Sequence, residues 1–187
     1  MSGRVVLVEG PSDAAVLGVL ARRLGIEAPE VVAMGGITNV GRHLREHAGR
    51  PGSTVAGLCD RGEVRYVVGA LRGLGHDVVE ADLAAYGFFV CNADLEDELI
   101  RALGTHAVVE VIEREGELGM LRTFQHQPYQ RERSLHQQLH RFAGTRSGRK
   151  VRLAAALAGR LDEGQAPAPL LDVLGWTAGV SRGPGCR

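Results

Sequence analysis

The sequence predicts an α/β protein: a Rossmann-like parallel sheet with a C-terminal helical extension. Three observations predict it. Short apolar runs at 4–8, 30–33, 54–58, 76–80 and 87–91 alternate with stretches of helical periodicity, at spacings that suit strand–helix–strand crossovers. From Asp94 onward the strand signals stop and only helical stripes follow. Three of the apolar runs also empty into carboxylates, at Glu9, at Asp60, and at Asp94 with Glu96. Parallel strands place their carboxyl ends on one edge, the edge where α/β proteins build their sites.

The first run, 4–8, is rich in β-branched residues and is closed by Gly10-Pro11. A helix is expected over 13–24, with Ser12 as N-cap, Val16, Leu17, Leu20 and Leu24 on one stripe, and Gly25 as stop. A strand at 30–33 ends at Gly35-Gly36, and a helix over 38–47 turns Val40 and Leu44 inward. The third strand, 54–58, leads to a helix over 63–74 that closes at Gly75. Strands at 76–80 and 87–91 complete the sheet. Leu95, Leu99 and Leu103 then form a stripe ending at Gly104. Helices are expected over 107–115, 129–142, 151–161 and 169–174, with 116–128 as a mixed connector. Residues 1–104 thus read as the α/β core, 105–178 as the extension and 179–187 as a disordered tail.

Composition excludes several classes. No apolar run approaches the roughly 18 residues of a membrane span, and no secretory signal opens the chain. Cys59, Cys91 and Cys186 are odd in number and widely spaced, which fits neither a disulfide framework nor a zinc knuckle. A reducing cytoplasm is the expected compartment. Formal net charge is zero, yet residues 120–160 carry nine Lys and Arg against the single acid Glu132. That asymmetry is either a polyanion-binding face or an Arg-rich solvated surface.

The carboxylates carry the chemistry. Glu9 ends a strand and Asp13 begins a helix, so one loop can turn both toward a point at the sheet edge. A carboxylate ending an apolar strand is costly unless paired or metal-bound, whereas Asp13 also reads as an ordinary first-turn helix acid. Glu63 reads as a ligand or, slightly preferred, as another first-turn acid. In Asp94-Leu95-Glu96-Asp97-Glu98, Asp94 and Glu96 precede the apolar stripe and are the better ligand candidates. Gathered acids repel one another unless a cation neutralises them, and an all-oxygen set points to Mg²⁺ or Mn²⁺. Lys150 is the only lysine in the chain. Just before a helix, its compact charge suits a phosphate or a developing negative charge, although one lysine is also unsurprising by chance. His126, His136 and His140 read as surface residues. There is no Gly-x-x-x-x-Gly-Lys-Ser/Thr loop, so ATP hydrolysis by these residues is not expected.

Glu9-Gly10-Pro11-Ser12-Asp13, Asp60 after the third strand, and Asp94-Leu95-Glu96 after a late strand resemble a topoisomerase–primase (TOPRIM) domain. The likeness is closer to the version in overcoming-lysogenization-defect (OLD) nucleases, and Gly148-Arg149-Lys150-Val151 resembles that family's C-terminal pattern. The resemblance implies Mg²⁺- or Mn²⁺-dependent hydrolysis of DNA with two ions. It makes Glu9, Asp13, Asp60, Asp94 and Glu96 metal ligands, with Glu9 and Lys150 catalytic, and it implies an ATPase encoded as a separate partner. One position departs from the wider pattern, Asp-x-Asp, which here is Asp60-Arg61-Gly62. Glu63, or Asp94 with Glu96, would have to compensate. The alternative reading is a catalytically weak TOPRIM module that binds nucleic acid or a partner ATPase. A phospho-acceptor signalling domain fits less well, because Glu9 and Asp13 are not adjacent and Lys150 lies deep in the helical part.

Overall fold

The computed structural model describes residues 3–50, 52–146 and 148–179. Four strands, β1 (Arg4–Val8), β2 (Glu30–Ala33), β3 (Thr54–Asp60) and β4 (Phe88–Cys91), form one parallel sheet in the order β2-β1-β3-β4. Strand β1 sits inside the sheet, and its side chains are buried on both faces. Val6 and Val8 join one core with helices α1 (Pro11–Arg23) and α9 (Arg149–Arg160). Val5 and Leu7 join the opposite core beneath α2 (Val40–Ala48) and α3 (Val64–Gly73). This two-sided burial is why the strand reads as an unbroken apolar run rather than an alternating one.

The extension consists of α4 (Leu95–Leu103), α5 (Thr105–Arg114), α6 (Leu118–Gln125), α7 (Pro128–Arg131), α8 (Leu135–Ala143), α9 and α10 (Ala168–Ala178). It shares one continuous apolar core with the first sheet face. Helix α9 runs along α1, and α10 returns to β3 and β4. Trp176 of α10 meets Phe89 edge-on at 6.2 Å and lies so close to Gly87 that a Cβ there would come within 2.7 Å of the indole nitrogen. Gly87 also has φ 79°, so only glycine satisfies both the turn and the ring. Among the described residues, no helix is long and apolar enough to cross a membrane.

Several expectations need correction. The segment expected as a strand at 76–80 is not one. Val78 is fully buried while Val79 is exposed, and the Val78 carbonyl accepts from Arg72 Nε at 2.9 Å. A side chain thus takes the bond a neighbouring strand would have made, and a 3₁₀ helix (Glu80–Tyr86) follows. The expected connector 116–128 contains α6, whose Leu121 and Phe124 are buried. The expected helix over 129–142 is broken into α7 and α8, because Ser134 caps α8. Its hydroxyl accepts from Gln137 N, and its own N–H donates to Gln137 Oε1 at 3.1 Å. Ser12 does not cap α1. Gly10 holds that position and Ser12 is buried within the helix. The expected disordered tail lies outside the described residues, apart from Gly179.

Candidate active site

The carboxyl ends of β1 and β3 and the first turns of α1, α4 and α9 border one open cleft of about 520 Å³. Glu9, Asp13, Asp60, Glu96 and Lys150 all line it, with Gly35-Gly36 forming part of the rim. Residues up to 141 positions apart in the chain therefore meet because parallel strands point the same way and α9 packs beside α1. Gly36 N donates to the Glu9 carbonyl at 3.1 Å, which fixes the loop after β2 against the strand end that carries Glu9.

Asp13 Oδ2 accepts from Gly10 N at 2.8 Å, tying the acid back to the start of its helix. Both the capping and the ligand readings of Asp13 thus have a structural counterpart. Burial raises its carboxyl above the ordinary range, against the pull of this bond and of Lys150. Asp60 is affected most. Burial first, then the charges of Asp94, Asp13, Glu63 and Glu9, push it up to about 7. Glu96 is almost wholly buried, and burial raises its carboxyl although Lys150 Nζ lies 3.2 Å from Oε2. Its other oxygen, Oε1, is buried without a partner. Burial works against the Lys150 ammonium, yet Glu96, Asp13 and Asp94 together hold it above the ordinary lysine value. Lys150 therefore stays charged; the fall on burial open to a lysine does not occur.

Glu63 is the site residue that sequence reasoning under-weighted. One oxygen each from Glu9, Asp60 and Glu63 lies within 4.8 Å of the others. Glu63 Oε2 is buried and unpartnered. Burial, then the charge of Glu9 and a hydrogen bond with it, raise the Glu63 carboxyl above the ordinary range. The available signal was the gap at Gly62: with the second Asp missing, the next acid, at the end of the 3₁₀ turn Arg61–Glu63, approaches Glu9 and Asp60.

Asp94 stands one step back. It caps α4 by accepting from Asp97 N at 2.9 Å, and its second oxygen is 2.7 Å from His140 Nε2. Its charge still leads the charged groups acting on Asp60. His136 makes a matching contact of 2.7 Å with Asp97. The two histidines expected as surface residues therefore bolt α8 to the first turn of α4. The basic segment is also less available than its charge count suggests. Arg149 is buried, 2.5 Å from Glu117 and stacked 4.1 Å from the Phe142 ring centroid, and Arg152 pairs with Glu115 and Glu117. Arg146 and Lys150 are the cations that line the cleft. Burial drives the Cys59 thiol up to about 12, which removes it as a nucleophile.

Solved structures share this architecture from end to end. The C-terminal region of the Burkholderia pseudomallei OLD protein superposes with a TM-score of 0.70 at 20% identity, covering 95% of this chain and 98% of that one. The chain resembles the C-terminal region of OLD proteins. The corresponding region of the Xanthomonas campestris pv. campestris OLD protein gives 0.67 at 25% identity, with 94% of each chain covered. Neither a protein-family model nor a curated protein matches the sequence. The OLD-type, TOPRIM fold with its helical extension is thus the architecture of this chain, and the carboxylate cleft lies at its sheet edge.

Proposed function

We propose that this OLD-like chain is a divalent-metal-dependent nuclease that hydrolyses phosphodiester bonds in DNA. The observation that carries the reading is the convergence of Glu9, Asp60 and Glu63 to within 4.8 Å, beside the cleft that Glu9 and Asp60 line together with the Lys150–Glu96 pair. The donor set fits hard cations. It is all oxygen, burial and neighbouring carboxylates raise Asp60 and Glu63, and two buried carboxylate oxygens, on Glu63 and Glu96, lack a hydrogen-bond partner. Mg²⁺ or Mn²⁺ would satisfy these orphans and remove the repulsion. Glu9, Asp60 and Glu63 would hold one ion, with Asp13 and Glu96 supporting a second. Asp94 would join by exchanging His140 for the ion.

Bound ions would supply an activated water and neutralise the leaving oxygen. The chain's own groups supply the remainder. Lys150, kept charged by its neighbours, donates to the phosphoryl oxygens as negative charge develops. The first turns of α1 and α9 border the same space, and a helix N-terminus favours a phosphate. Arg146 holds the flanking backbone without reading sequence. The test is cleavage of supercoiled and linear DNA with Mg²⁺ or Mn²⁺ by the wild type, Glu9→Ala and Lys150→Ala. Metal-dependent cleavage by the wild type, lost in both variants, is expected; equal rates in all three overturn the reading. A binding module with no turnover is favoured by Gly62, and salt-sensitive DNA binding without cleavage under either metal would select it.

A further inference from the structure

Helix α2 carries a second group of donors that does not line the carboxylate cleft. His43, Glu46 and His47 each bring one ligand atom to within 4.8 Å of the others. The two histidines are one turn apart and their rings stack, with centroids 6.2 Å apart and planes inclined by 10°. His47 is only 4% exposed. Its Nδ1 is buried with no hydrogen-bond partner, and so is Nδ1 of His43. A buried polar atom without a partner carries a desolvation cost of about 1–3 kcal/mol, and the fully enclosed His47 nitrogen calls for an explanation. Apolar packing does not provide one for His47, whose ring is the more deeply buried, and Glu46 offers an oxygen within 4.8 Å of a ligand atom of each ring.

We propose that His43, Glu46 and His47 form a binding site for a borderline transition-metal ion of the Zn²⁺ class. Two imidazoles and one carboxylate make the three-ligand set such ions take, with water in the remaining position. The same donors suit Mg²⁺ poorly, since it prefers oxygen ligands, so the two clusters of this chain select different metals. Two exposed arginines compete for the donors: Arg42 Nη2 lies 3.1 Å from His43 Nε2, and Arg50 pairs with Glu46 at 3.4 Å. Both are long surface side chains that swing aside when the ion enters. Helix α2 follows the Gly35-Gly36 rim of the cleft through a single 3₁₀ turn.

The test is Zn²⁺ titration by calorimetry with millimolar Mg²⁺ present, on the wild type, His43→Gln, Glu46→Gln and the cleft variant Glu9→Gln, with folding checked by circular dichroism. Saturable binding by the wild type is expected. It should weaken at least about tenfold in His43→Gln and Glu46→Gln, as one ligand of three is lost, and persist in Glu9→Gln. Unchanged affinity in His43→Gln, loss of binding in Glu9→Gln, or no saturable binding by the wild type overturns the proposal. Because the Glu9→Gln arm reads the cleft, failure of this site and failure of the nuclease reading are distinguishable.

Discussion

Replacing Asp60 by Asn should stabilise the metal-free protein while damaging its metal site. In the folded chain the Asp60 carboxyl is pushed from the ordinary value of 3.8 to about 7, by burial and then by Asp94, Asp13, Glu63 and Glu9. An acid whose folded pKa lies above its unfolded pKa holds its proton more tightly when folded. Stability is therefore greatest below about pH 4 as far as this group is concerned, and falls as pH rises toward 7. At about 1.4 kcal/mol per pH unit the full shift corresponds to about 4 kcal/mol. Asp60 is only half-buried, and solvent screening reduces this to about 2 kcal/mol. No hydrogen bond to its carboxylate caps the following turn, so the amide should forfeit little. Urea unfolding in a chelator, at pH 5 and pH 8, measures the effect. The variant should exceed the wild type by about 2 kcal/mol at pH 8, or about 4–8 °C in Tm, and by less at pH 5. Added Mn²⁺ should raise the wild type and leave the variant nearly unmoved. A variant less stable than the wild type at pH 8, or an equal difference at both pH values, refutes the reasoning.

Further outcomes follow from the same geometry. Lys150→Ala should lower metal-dependent DNA cleavage by at least about 100-fold with an unchanged circular dichroism spectrum, as measured by plasmid nicking. Glu63→Gln should weaken Mn²⁺ binding about tenfold or more, read by calorimetry; unchanged affinity would return Glu63 to the role of a first-turn helix acid. Arg149→Met should destabilise by about 3 kcal/mol, because it leaves Glu117 buried with one cation fewer and removes the ring contact to Phe142; chemical denaturation measures it. Gly57→Ala should cost about 2–3 kcal/mol, since a Cβ there would lie 2.4 Å from Phe88 Cε1 and 3.0 Å from the Leu7 carbonyl.

The parallel sheet was legible because burial on both faces leaves a plain signature: Val5-Val6-Leu7-Val8 and Phe88-Phe89-Val90-Cys91 are apolar without interruption. The meeting of Glu9 and Asp60 at one cleft was legible for a related reason, since strand direction fixes which strand ends meet, whereas Lys150 on α9 was placed there only by the family resemblance. Less legible features depend on partners remote in sequence. Val78 and Val79 have a strand's composition, but whether they pair depends on Arg72 taking the Val78 carbonyl. The break between α7 and α8 was readable from Ser134 and Gln137, a capping box passed over because the surrounding polar stretch looks uniformly helical. Glu63 was undervalued because first-turn acids are common, and only the three-dimensional approach to Glu9 distinguishes it. The charge count of residues 120–160 leaves a polyanion-binding face and a solvated surface equally open, and for Arg149 and Arg152 neither holds, because Glu117, 35 or fewer residues upstream, claims both.

The most direct measurement is anomalous diffraction from a crystal soaked in Mn²⁺. A peak within bonding distance of Glu9, Asp60 and Glu63, with a second toward Asp13 and Glu96, is what the convergence of these carboxylates predicts. A cleft with no anomalous density at saturating Mn²⁺ would contradict it.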